Sequence, residues 1–70
     1  MTALETRILE LLDTQQWQSR KELAALLNRK NGKTSPSDNA ILDRLETKGL
    51  IEIRQRVIGA VKTRYEYRKV

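Results

Sequence analysis

Cysteine and histidine are both absent from this 70-residue chain. Without cysteine there is no disulfide staple and no thiolate, and without histidine the commonest general base and metal ligand is gone as well. Phenylalanine is missing too, and one tryptophan and two tyrosines make up the whole aromatic content. The core therefore has to be built mainly from leucine and isoleucine. No apolar run reaches the eighteen or more residues of a membrane-spanning helix, and Met1-Thr2-Ala3 opens an acidic amphipathic stretch rather than a signal sequence. A soluble, cytoplasmic protein without a metal or cofactor is expected. No residues pair a nucleophile with a base, set two carboxylates on one face or form a phosphate-cradling glycine loop, so an enzyme is not expected.

What is present is positive charge, unevenly placed. The formal net charge is +5. Residues 1–27 carry −1, residues 28–35 carry +3 through Arg29, Lys30 and Lys33, residues 36–48 carry −1 and residues 49–70 carry +4. The excess lies in one loop and in the C-terminal segment, either as solvated faces or as a surface for a polyanion. Seventy residues suffice for one small domain, 1–70, with a core near the lower limit of independent stability.

Three stretches carry helix signals. Thr2-Ala3-Leu4-Glu5 is a capping box, and Leu4, Ile8, Leu11 and Leu12 follow at helical spacing, which predicts a first helix from about residue 3 to about residue 13. A short extended segment then holds Trp17, either as a core filler or as a stacking platform for a base. Ser19-Arg20-Lys21-Glu22 is a second capping box, with Leu23, Leu26 and Leu27 as the apolar side of a helix ending near Asn28. After the basic loop from Arg29 to Thr34, Ser35 caps a third helix with Pro36 at its first position and Asp38 three residues after the cap. Gly49 ends it in a left-handed conformation, with Leu50 folding back over the last turn. Ile41, Leu42 and Leu45 form its buried stripe, while Ala40, Asp43, Arg44 and Thr47 project from the other side.

Beyond Gly49 the period changes to two. Ile51, Ile53 and Val57 alternate with charged residues, as do Thr63, Tyr65 and Tyr67. A three-residue loop of Gly59, Ala60 and Val61 keeps both apolar sets on one face of a hairpin. In that register Glu52 lies opposite Arg68 and Arg54 opposite Glu66, while Arg56 faces Arg64. Two like charges directly opposed near the tip are mildly destabilising in isolation, and an anion there removes the penalty. The expected core is Leu4, Ile8, Leu11, Leu12, Trp17, Leu23, Leu26, Leu27, Ile41, Leu42, Leu45, Leu50, Ile53 and Tyr67.

The order helix, extended segment, helix, turn, helix, hairpin resembles the winged helix-turn-helix family. The resemblance rests on Ser19-Arg20-Lys21-Glu22-Leu23-Ala24-Ala25-Leu26-Leu27, on Leu42-Asp43-Arg44-Leu45-Glu46-Thr47-Lys48-Gly49-Leu50-Ile51 and on Arg64-Tyr65-Glu66-Tyr67. It implies an α+β, mainly α, fold of three helices plus a C-terminal two-stranded wing hairpin, with the third helix in the DNA major groove and the wing on the backbone. A small bacterial-type transcription regulator that binds double-stranded DNA is the function it implies. Ser37, Asn39, Ala40, Arg44 and Thr47 are then expected near base edges, and Arg29, Lys30, Lys33, Arg54, Arg56, Lys62 and Arg64 on phosphates. In that arrangement Asp43 is expected to accept from a cytosine amino group and Asn39 to pair with adenine at the flank of the helix. The alternative is a protein-interaction module within a larger complex, since a fold does not dictate a function. A monomer or weak homodimer is expected, any dimer forming through the first helix or a strand edge.

Overall fold

Residues 1–60 and 62–70 are described by the computed structural model of the chain. Hydroxyl caps open all three helices. Thr2 caps α1 (Ala3–Leu11), Ser19 caps α2 (Arg20–Leu26) and Ser35 caps α3 (Pro36–Thr47), each in an extended backbone conformation with its side chain accepting from the amide three residues on. The capping boxes of α2 and α3 are reciprocal. That of α1 is half formed, because the Glu5 carboxylate takes the Thr2 hydroxyl at 3.2 Å and turns toward α3 instead of returning to the Thr2 amide.

The helix ends use left-handed residues. Gly49 (φ +76°) follows α3, its amide donating to the Glu46 carbonyl and the Leu50 amide to that of Leu45, which satisfies two carbonyls the helix would otherwise leave open. Asn28 (φ +59°) does the same after α2, with its amide on Ala25 and that of Arg29 on Ala24. Asparagine is the side chain that tolerates this region best after glycine.

The strands are β1 (Gln18–Ser19), β2 (Ile51–Ile58) and β3 (Lys62–Lys69). The expected two-stranded hairpin is corrected here: the sheet is three-stranded and antiparallel, in the order β1-β3-β2. Gln18 pairs with Tyr67 and Ser19 with Glu66. Two residues are too few to show a period of two, and Ser19 is extended because a helix cap requires it, so a residue legible as a cap is also a strand residue. The β2–β3 register matches the expected one, with Glu52 opposite Arg68, Arg54 opposite Glu66 and Arg56 opposite Arg64. Gly59 (φ +73°) and Ala60 form the turn, and Val61, the third residue of the expected loop, lies outside the described residues.

Ile8, Leu12, Leu23, Leu27, Ile41, Leu42, Leu45, Ile51 and Tyr67 form the buried core, with Leu4, Leu11, Leu50 and Ile53 packed against it. Leu26 is exposed, contrary to expectation, and so are Val57 and Tyr65 of the apolar hairpin face. The helices cover only the Ile51–Ile53 and Tyr67 end of two eight-residue strands, and the rest of the hairpin projects beyond them.

Trp17 is not a core residue. Continuing the β1–β3 register by one residue sets it beside Arg68, on the charged face of the sheet. The guanidiniums of Arg54 and Arg68 lie over its ring, 4.3 Å and 4.5 Å from its centroid. Among the described residues, no helix is long and apolar enough to cross a membrane.

Candidate nucleic-acid interface

An arginine engaged by a carboxylate is a poorer phosphate ligand than a free one, so the partners of each cation decide its role. Arg29 is committed. Its Nε and Nη2 donate to the two Asp38 oxygens at 3.0 Å and 2.6 Å, and Asp38 is fully buried. Burial pushes the Asp38 carboxyl up, but the Arg29 hydrogen bonds, the Ser35 amide and hydroxyl and the Arg29 charge outweigh it and leave the pKa lowered. Arg44 is committed as well, 3.1 Å from Glu5 Oε1, with Lys48 3.6 Å from Oε2. Arg54 donates to Glu66 at 2.8 Å while stacking on Trp17. These three expected ligands are ion-paired within the fold.

Other expected residues remain open to solvent. Lys30, Lys33, Ser37, Ala40 and Lys62 are exposed, and the Lys33 amide donates to the Asn31 side chain at 3.1 Å, which shapes the basic loop. Thr47 returns its hydroxyl to the Asp43 carbonyl at 3.0 Å. Asn39 is half-buried, its Oδ1 accepting from the Thr34 hydroxyl at 2.7 Å. Arg56 and Arg64 face each other as expected, but their charge is not uncompensated. Glu66, nearly buried, lies 3.8 Å from Arg56 and 4.0 Å from Arg64.

Two adjoining grooves bring part of this set together. The larger, of about 460 Å³, runs between the start of α2 and the outer half of the hairpin, with Arg20, Lys21, Lys62 and Arg64 in its walls and Tyr65 and Ile58 as its apolar side. The smaller, of about 410 Å³, shares Arg20 and Lys21 and continues past Lys33 and Thr34 to Asn39. Among the described residues, neither lining contains a carboxylate. The arrangement thus forms a cationic track from the hairpin, across α2, to the first turn of α3. Lys30, Ser37, Ala40, Thr47, Arg56 and the three committed arginines are not in its walls.

Arg20, Lys21 and Tyr65 are members of this surface that the sequence reading did not select. A signal for the first two is present. The first turn of a helix favours acidic side chains, and two consecutive cations there oppose the helix dipole without a structural gain of their own. Tyr65 carried no such signal, because its alternation matched that of a core residue.

No family model, no curated protein and no solved structure matches this chain.

Proposed function

We propose that this domain binds double-stranded DNA, with the cationic track on the phosphate backbone and the N-terminal half of α3 toward the bases. The observation that carries the reading is the juxtaposition of Arg20, Lys21, Lys33, Lys62 and Arg64 along two grooves that lack any carboxylate among the described residues. A solvated face that serves only solubility mixes both signs of charge, whereas a backbone track concentrates one. Within α3, Ser37 and Ala40 are exposed and Asn39 lines the track, which supports these three as the residues that meet base edges in this reading. Arg44 and Thr47 contribute less, since Arg44 is bound to Glu5 and Thr47 to its own helix backbone. A role in transcription regulation is consistent with a domain of this kind and stands on the same binding.

The test is a salt titration of binding to a random duplex. Neutralising about five phosphates gives a slope of log K against log salt of about −4 to −5. A domain that fails to bind at low salt, or binds without salt dependence, is not a duplex-binding protein. The second reading, a protein partner, is favoured by the exposed Val57 (78%) and Ile58 (44%) on the projecting hairpin. Complex formation abolished by Val57→Ser but indifferent to salt selects that reading.

A further inference from the structure

We propose that Arg20 is a pre-set phosphate fork, held in position by two tyrosines and aimed at one backbone phosphate where the two grooves meet. The inference rests on the duplex reading and names a specific anion site within it.

Arg20 differs from the other half-buried arginines. Arg29, Arg54 and Arg68 each have a carboxylate within 3.0 Å. Arg20 has none among the described residues. Its Nε donates instead to the buried Tyr67 hydroxyl at 2.8 Å, and its guanidinium lies over the Tyr65 ring at 4.5 Å. Both contacts use the base and the face of the guanidinium. The terminal nitrogens, which form the edge that matches two phosphate oxygens, make no hydrogen bond among the described residues.

Position supports the same role. Arg20, with Lys21, lines both grooves, between Lys62 and Arg64 on one side and Lys33 on the other. The helix end beneath it is not the anion site, because Ser19 and Glu22 use its amides in the reciprocal capping box. Ordering a long side chain on binding costs free energy that a fork already fixed by two partners does not lose again. A planar cation so fixed distinguishes a phosphodiester held by two oxygens from diffuse negative charge. The neutral Tyr67 hydroxyl is the partner that leaves the positive charge available, and burial raises its pKa despite the opposing effect of Arg20.

The experiment compares the full chain with Arg20→Lys, Arg20→Gln and Tyr67→Phe, using a labelled random 20-base-pair duplex and, separately, inorganic pyrophosphate followed by the NMR resonance of the Arg20 Nε–H. Folding of each variant is checked by its amide spectrum, and Tyr65→Leu replaces Tyr67→Phe if the latter is unfolded. Arg20→Lys keeps the charge and loses the fork, so duplex affinity falls about tenfold with the salt slope unchanged. Tyr67→Phe keeps every charge and should weaken binding several-fold. Pyrophosphate should shift the Arg20 resonance in the parent protein. If Arg20→Lys and Tyr67→Phe bind like the parent while Arg20→Gln loses about one unit of salt slope, Arg20 is an ordinary surface charge and the inference fails with the duplex reading intact. If the parent does not bind duplex yet pyrophosphate moves the Arg20 resonance, the duplex reading fails and the phosphate site stands. Loss of both signals overturns both.

Discussion

Arg29 grips Asp38 with two hydrogen bonds, of 3.0 Å and 2.6 Å, across the loop that leads from α2 to α3. The carboxylate also accepts from the Ser35 amide at 2.9 Å and so closes the first turn of α3. One side chain therefore fixes both the path of the basic loop and the start of the helix it precedes. Asp38→Ala removes the fork and half of the capping box, and should destabilise the fold by about 2–3 kcal/mol in chemical denaturation. Arg29→Gln should lower the thermal midpoint while leaving the salt slope of DNA binding near its parent value, because Arg29 lies outside the cationic track.

The pH dependence follows from two lowered carboxylates. Glu5 is buried, which by itself raises its pKa, but the Thr2 hydrogen bonds and the Lys48 and Arg44 charges outweigh this and lower it. Asp38 is lowered as well. A carboxylate whose folded pKa lies below its unfolded value adds stability above the unfolded value, and this is lost as pH falls through the folded one. Stability should thus be flat near neutrality and decline below about pH 4. Asp38→Asn should be less stable than the parent at pH 7 and approach it at pH 2. Parallel curves would show that Asp38 carries no such linkage.

Leu45 is fully buried at the centre of the core. Truncation to alanine should cost about 2–5 kcal/mol, comparable with the whole stability of a domain this small. Loss of cooperative unfolding in Leu45→Ala is the expected calorimetric result.

Arg56 and Arg64 should separate on the hairpin. Only Arg64 lines the cationic track. Arg64→Gln should reduce the salt slope by about one unit, and Arg56→Gln should leave DNA binding nearly unchanged. Each exposed arginine lies near Glu66 at the limit of an ion pair, so stability should change by no more than about 0.5 kcal/mol in either variant.

Trp17 is the sole tryptophan, and its fluorescence therefore reports the outer face of the sheet. A double-mutant cycle between Trp17→Leu and Arg68→Gln should give a coupling of about 0.5–1 kcal/mol. Additive single effects would mean that the stack contributes nothing.

Local signals were legible and long-range ones were not. Thr2, Ser19, Ser35 and Gly49 act within a few residues of themselves, so caps and helix ends could be read from spacing. The hairpin register followed from alternation and a short loop. The third strand could not be read, because Gln18 and Ser19 acquire their partners from residues 66 and 67. The site suffered for the same reason. Arg29 and Arg44 read as free cations until folding brought Asp38 and Glu5 to them, while the Arg54–Glu66 pair followed from the register; Arg20, with no carboxylate ion pair among the described residues, met two tyrosines.

The strand that is central in space, β3, is also the last in chain order. On a ribosome, both outer strands emerge before the one surface they can pair with, and the Tyr67 ring that fills the middle of the core arrives later still. The helices can collapse first, but they enclose a gap. A chain that ends before Lys62 therefore keeps both outer strands without the strand they pair with, and the sheet closes only when that last strand arrives.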